Sequence, residues 1–253
     1  MPRYFLELQY KGTAYKGFQS QPNMATIQGE VEKALQTFLQ KSVSLTTSSR
    51  TDAGVHALQN FFHFDTDIVL SPKILYNLNA ILPNDIVLKN LCEVGEDRHS
   101  RFDAASRVYQ YYLYFEKNPF LADRAYFYPF KLDKDKLQQT ADILKSYKDF
   151  TTFSKRNTQV HTFICDIKNS LWFEKDECLV YRVEANRFLR GMVRALVGTM
   201  LKVGRGSISL DEFKNIIESK NCTNADFSTP AHGLFLMEVK YPFELKGSGK
   251  INL

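Results

Sequence analysis

The chain lacks the signatures that mark most cofactor and metal enzymes. No C-x-x-C pair, H-E-x-x-H motif, Walker loop or G-x-G-x-x-G turn occurs in its 253 residues, so neither a metal nor a nucleotide cofactor is expected. The four cysteines, Cys92, Cys165, Cys178 and Cys222, are scattered without paired spacing. They therefore read as reduced thiols, mostly in the core, and not as a disulfide framework. No apolar run approaches membrane-spanning length. The opening MPRYFLELQYKG turns polar before an apolar region can form, so the expectation is a cytoplasmic protein without a secretory signal.

What is present points toward an anionic partner. A hydrophobic fraction of 44% over this length supports one large core or two ordinary ones. The formal charge of +5 and pI near 8.9 lean basic without reaching the pI above about 9 that marks strongly basic nucleic-acid domains. Positive charge gathers locally, in DRHSRFDAASR and EANRFLRGMVR, and 20 Phe with 13 Tyr supply flat faces on which a base could stack.

The pattern of elements predicts a fold class. Tyr4, Leu6, Leu8 and Tyr10 alternate with Phe5, Glu7 and Gln9 as in a strand, and KGTAYKGFQSQPN then reads as a loop. Thr26 is placed to cap a helix whose Ile27, Val31, Ala34, Leu35, Phe38 and Leu39 share one face. VSLTT and ALQNFFHFD read as strands, Ser71 and Pro72 as the start of a second helix, and DIVLKNLCEV as a strand. That order is the strand–helix–strand–strand–helix–strand of a ferredoxin-like unit.

The second half repeats the plan in coarse order without repeating the sequence. RVYQYYLYF is an aromatic strand, Asp133 caps a helix, and HTFICDIKN and CLVYRVEAN are strands flanking the turn-like EKDE. A long helix is predicted from about Arg187 to Val203, followed by a shorter one capped by Ser209 and the closing strand GLFLMEVKY. The expected class is α+β: two related ferredoxin-like or RRM-like halves, with antiparallel sheets and helices on one face. The halves are taken as 1–103 and 104–253, divided at the polar GEDRHSRFDA, and the tail KGSGKINL is expected to be mobile.

The stretch SSRTDAGVHALQNFFHF concentrates the chemistry. Asp52 stands between two strands, with Arg50 two residues before it and Gly54 two after. Two readings fit that spacing. In one, a rigid scaffold presents an ionised carboxylate to a cleft; in the other, RTDAG is a surface turn in which Asp52 caps backbone amides. No second acid lies in the motif, which argues against a glycosidase-like dyad.

The same stretch, together with YKGTAYKGFQSQP, RFDAASRVYQY, DFTTFS, NRFLRGMVRALVG and TPAHGLFLMEVKY in that order, resembles the tRNA pseudouridine synthase A family along nearly the whole chain. The resemblance implies isomerisation of uridine to pseudouridine in the tRNA anticodon stem-loop, without metal or organic cofactor. It also implies an active-site cleft between the two halves, and a homodimer.

By position in the motifs, Asp52 matches the family's catalytic aspartate, a nucleophile that attacks the flipped nucleotide at base C6 or ribose C1′. Tyr109 matches a tyrosine that stacks on that base, with final proton removal from C5 as a further role. Arg194 matches the arginine that pairs with the acid, and Leu234 a leucine at the pocket. Read as residues alone, these are a strand aromatic, an exposed helix arginine and a core strand leucine.

Arg50 has two roles open, contacting phosphate or holding the nucleotide flipped, and His56 supports the loop. Lys11, Lys16, Arg98, Arg101 and Arg107 are expected contacts to tRNA phosphates. Arg187 and Arg190, spaced i, i+3 and i+7 with Arg194, complete a basic stripe on the predicted helix.

Four positions depart from the family pattern: Ser49 for glycine, Lys11 for aspartate, Phe18 for tryptophan and His161 for arginine. Ser49 would be strained if that site needs a positive φ. A non-catalytic RNA-binding protein on the same fold stays open as an alternative. So does another base-flipping enzyme, although the H-x-E and P-C-x-x-C deaminase signature is absent.

Overall fold

A computed structural model describes residues 1–156 and 160–245; the KGSGKINL tail lies outside the described residues. The chain divides into two compact units, one of residues 1–105 with the segment that begins at Leu236, the other of Ser106–Phe235. The first crossover falls two residues beyond the division expected from sequence. Most of the closing strand belongs to the first unit.

In the first unit, β1 (Arg3–Tyr10), α1 (Ile27–Leu39), β2 (Thr46–Thr47), β3 (His56–Asp65), α2 (Ile74–Ile81) and β4 (Ile86–Val94) follow one another. β1 lies between β4 and β3, β2 pairs with β3, and all these pairings are antiparallel. This is the ferredoxin-like arrangement. The Thr26 hydroxyl accepts from the Gly29 amide as the predicted cap of α1, and Ile27, Val31, Ala34 and Leu35 are the buried face. α2 begins at Ile74, later than expected, because the carbonyls of Ser71 and Pro72 close a preceding turn onto Ile74 and Leu75. Of VSLTT, Thr46 and Thr47 alone are strand.

The second unit holds β5 (Ser106–Tyr114), β6 (Tyr126–Phe127), α3 (Lys134–Leu144), β7 (Ile167–Lys175), β8 (Cys178–Ala185), α4 (Met192–Gly204) and α5 (Leu210–Glu218). The last strand, β9 (Leu234–Lys240), begins there with Leu234 and Phe235. β8 lies between β5 and β7, antiparallel to both, while the unforeseen β6 runs parallel to β5. Asp133 caps α3 through the Lys136 amide, and Ser209 with Glu212 forms a capping box on α5.

Two expectations are corrected. β7 starts at Ile167 and not at His161, because residues 163–165 give their backbone bonds to 148–150: Phe150 N donates to Phe163 O, and Cys165 N to Lys148 O. α4 starts at Met192 and not near Arg187, because Gly191 has φ +75°, a left-handed conformation outside the helix. Arg187 and Arg190 therefore precede α4 and form no helical stripe with Arg194.

Candidate active site

The Asp52 loop is a β-turn fixed by its neighbours. Val55 N donates to Asp52 O at 3.2 Å and Gly54 has φ +79°, the positive angle that glycine supplies at the third position of a type II turn. Asp52 opens the turn, half-buried, and the exposed Arg50 precedes it. Ser49 is absent from the positive-φ residues, so serine is not strained there; its Oγ is buried with no hydrogen-bond partner among the described residues.

Ties from residues 10–18 hold this turn on both flanks. Phe18 N donates to Thr51 O at 3.1 Å, the Tyr10 and Thr51 hydroxyls share a 2.8 Å bond, and Gly12 N donates to His56 Nδ1 at 3.1 Å. An acceptor Nδ1 leaves the proton of the neutral His56 ring on Nε2. Gly12 packs so closely that a Cβ there would stand 2.0 Å from Val55 O. This KGTAYKG segment is itself anchored at the start of β4, since Lys11 N donates to Asp85 O and the Tyr15 hydroxyl to Asp85 Oδ1 at 2.5 Å. Burial and that hydrogen bond push the Tyr15 phenol well above its ordinary range, so Tyr15 stays a neutral donor.

Behind the loop lies Asn60, fully buried on β3. Its Nδ2 donates to Ser49 O at 2.9 Å and to the Tyr10 hydroxyl at 3.3 Å, while its Oδ1 accepts from Ser48 Oγ at 2.7 Å. The β1–β3 register shifts between Leu8 and Tyr10 beside this residue, the kind of irregularity that re-aims chain next to a site. Asn60 was not singled out in the sequence. The signal was there, as a polar amide followed by two phenylalanines in the strand ALQNFFHFD.

In the second unit, Tyr109 on β5 is 8% exposed, and its ring meets Phe188 edge-on at 5.0 Å. Arg194, in the first turn of α4, makes a reciprocal clamp with Thr229: its Nε donates to Thr229 O at 2.7 Å, and the Thr229 hydroxyl donates to Arg194 O at 2.8 Å. The Tyr111 hydroxyl donates to Pro230 O at 2.7 Å; burial raises its pKa, and Arg194 opposes the shift. The segment 229–234, ending at the buried Leu234, is thus tied to β5 and α4. Thr229 and Tyr111 are further residues the sequence reading passed over.

The cationic residues separate by environment. Lys11, Lys16, Arg50, Arg101 and Arg190 are exposed and Arg187 is half-buried. Arg107 differs: it is 9% exposed and its Nη1 donates to Asn186 O at 2.9 Å, so it braces the chain beyond β8 and is poorly placed for phosphate. Arg98 lies over the Phe243 ring at 4.4 Å. Among the described residues, no His, Cys, Asp and Glu group could hold a metal ion, and no helix is long and apolar enough to cross a membrane.

The comparisons agree with one another. The sequence profile of the family described as tRNA pseudouridine synthase matches residues 147–242. A protein named tRNA pseudouridine synthase A from Bacteroides fragilis is 46% identical over 246 residues, covering 96% of this chain and 98% of that protein. The chain belongs to the tRNA pseudouridine synthase A family. The family protein from Parabacteroides distasonis is 42% identical over 247 residues, covering 97% and 98% of the two chains. The one from Staphylococcus aureus is 36% identical over 240, covering 94% and 91%. These alignments span both units, so family membership applies to the Asp52 loop as well as to residues 147–242.

Proposed function

We propose that the chain converts uridine to pseudouridine in the anticodon stem-loop of tRNA, with Asp52 as the nucleophile. Family membership makes it an isomerase acting on tRNA uridine. The observation that carries the finer reading is the construction of the Asp52 turn: a half-buried carboxylate on a loop clamped through Thr51, Val55 and His56 and backed by Asn60. A turn that merely reverses the chain needs no such support. A nucleophile held to reacting distance does.

In this reading the uridine is flipped out of its stack. Attack by the Asp52 carboxylate allows the C1′–N1 bond to break, the uracil turns, C1′ bonds to C5, and the bond to Asp52 breaks to return the free carboxylate. The C5 proton then leaves and N1 takes one up, so the atoms balance within the substrate, and neither oxidant nor reductant is needed. Tyr109 is the proposed stacking partner and base for the C5 proton. Arg194, oriented by Thr229, is the proposed cation that keeps Asp52 ionised, and Leu234 the proposed apolar wall. Arg50, Lys11, Lys16, Arg101, Arg187 and Arg190 are the proposed tRNA contacts, made by a cytoplasmic homodimer.

The test is incubation of wild type and Asp52→Asn with unmodified tRNA transcript, followed by carbodiimide mapping. The reading expects a pseudouridine stop in the anticodon arm with wild type alone. Absence of product from wild type overturns it.

A further inference from the structure

Within the first unit a cavity of about 190 Å³ has Gln19, Gln28, Arg50, His99, Arg101 and Phe102 among its lining residues. It is smaller than the roughly 300–1,000 Å³ of pockets that enclose a drug-sized ligand, which suits one flat group and not a whole cofactor. Its wall carries two arginines, Arg50 and Arg101, and no carboxylate.

Phe102 is 75% exposed, yet it stands on a rigid support. Its ring leans on His99 at 4.2 Å with 32° between planes, and the Arg101 guanidinium lies 5.8 Å from its centre. His99 Nδ1 accepts from the amides of both Arg101 and Phe102, at 3.1 and 3.3 Å, while its own amide donates to Asp103 Oδ2 at 2.9 Å. Below it, the His99 ring meets buried His63 edge-on at 4.6 Å, and Ser100 is pinned by its Oγ to Thr46 O and by its amide to His63 Nδ1. A phenylalanine gains by burial, a gain this loop forgoes while ordering the residue in place. A pre-ordered ring that stays out is the arrangement a stacking ligand rewards.

We infer that Phe102, backed by His99, is a stacking platform for an unpaired RNA base near the target uridine, with Arg50 and Arg101 beside it for the adjoining phosphates. The inference rests on the reading of the chain as a tRNA-modifying enzyme. Arg50 lies two residues from Asp52, at most about 7 Å of chain, so the base on the platform belongs to a nucleotide close in the strand to the one Asp52 takes. Stacking supplies affinity with little regard to base identity, because every base has a flat face.

The test compares wild type, Phe102→Ala, Phe102→Tyr and Arg101→Gln for binding of unmodified tRNA transcript, by filter binding at several KCl concentrations. Phe102→Ala is expected to raise Kd about tenfold, equivalent to about 1.4 kcal/mol and within the range for base–aromatic stacking, with the slope of log Kd against log salt unchanged. Phe102→Tyr restores binding to within about twofold, while Arg101→Gln lowers the slope by roughly one. A Kd for Phe102→Ala within about twofold of wild type overturns the platform and leaves the enzyme reading standing. The same holds for an altered oligomeric state with unchanged affinity. Failure of the wild-type protein to bind tRNA overturns both.

Discussion

Replacing Gly12 by alanine should disable catalysis from a position outside the reacting groups. The added Cβ would stand 2.0 Å from Val55 O and 2.8 Å from Val55 C, where real contacts do not fall below 3.0 Å. Both atoms are backbone, so no rotamer change relieves the clash, and Gly12 and the Asp52 turn must separate by about 1 Å. That separation opens the 3.1 Å bond from Gly12 N to His56 Nδ1 and pulls at the Phe18–Thr51 tie. A displacement of about 1 Å at a reacting group costs on the order of 100-fold in rate. The assay is single-turnover pseudouridine formation at saturating enzyme, with tRNA affinity measured alongside. We expect the rate to fall about 100-fold and Kd to move less than about threefold. Gly206→Ala is the control: nothing lies within 4 Å of the new Cβ, but φ there is +74°, so it costs about 1–2 kcal/mol of stability through backbone strain and leaves the rate alone. A Gly12→Ala enzyme within threefold of wild type would refute the idea that residues 10–18 hold the catalytic turn.

Three further predictions follow from the same surroundings. Asn60→Ala removes the amide that joins Ser48 Oγ, Ser49 O and the Tyr10 hydroxyl, while Ser49 O keeps Thr47 Oγ1 as a donor; a loss of about 2–3 kcal/mol should lower Tm by roughly 4–12 °C, and a drop under about 3 °C in a thermal melt would show that the network matters little. Ser49→Ala removes a hydroxyl that is buried without a partner, so stability should hold or rise by up to about 1 kcal/mol, and a clear loss in urea titration would contradict this. His63 has its pKa lowered to about 4, chiefly by burial and next by His99. It is neutral when folded and protonates near pH 6.5 when unfolded, so its share of stability is complete above about pH 6.5 and is lost as pH falls toward 4. The loss is at most about 3 kcal/mol. Melts of wild type and His63→Gln should converge across that window, and parallel pH profiles would refute the assignment.

Legibility in the sequence followed whether the information was local. Thr26, Asp133 and Ser209 were readable as helix caps because each acts on an amide within three residues. The start of α4 was not, because MVRALVG and NRFLRG are both compatible with helix, and what ends the helix is a left-handed Gly191 whose neighbour Arg190 gives its carbonyl to Lys155 N. Residues 161–166 alternate like a strand, yet 163–165 bond to 148–150, a choice made by tertiary pairing. In sequence Arg107 resembles the exposed Arg101, yet it is buried and its guanidinium donates to Asn186 O. The two readings of RTDAG, turn and site, proved not to exclude each other. Asp52 is in a turn backed by Asn60 from the same stretch, and the remaining bonds that hold the turn come from residues 10–18, a pairing across some forty residues that the local sequence does not display.

The central claim is that the Asp52 carboxylate makes the reaction possible. It is tested most directly by release of tritium from C5 of uridine in a tRNA transcript, because forming the bond between C1′ and C5 expels that hydrogen. Wild type should release the label in proportion to pseudouridine formed, and Asp52→Asn should bind the tRNA with unchanged Kd and release none. Release by Asp52→Asn at a rate near that of wild type would contradict the account.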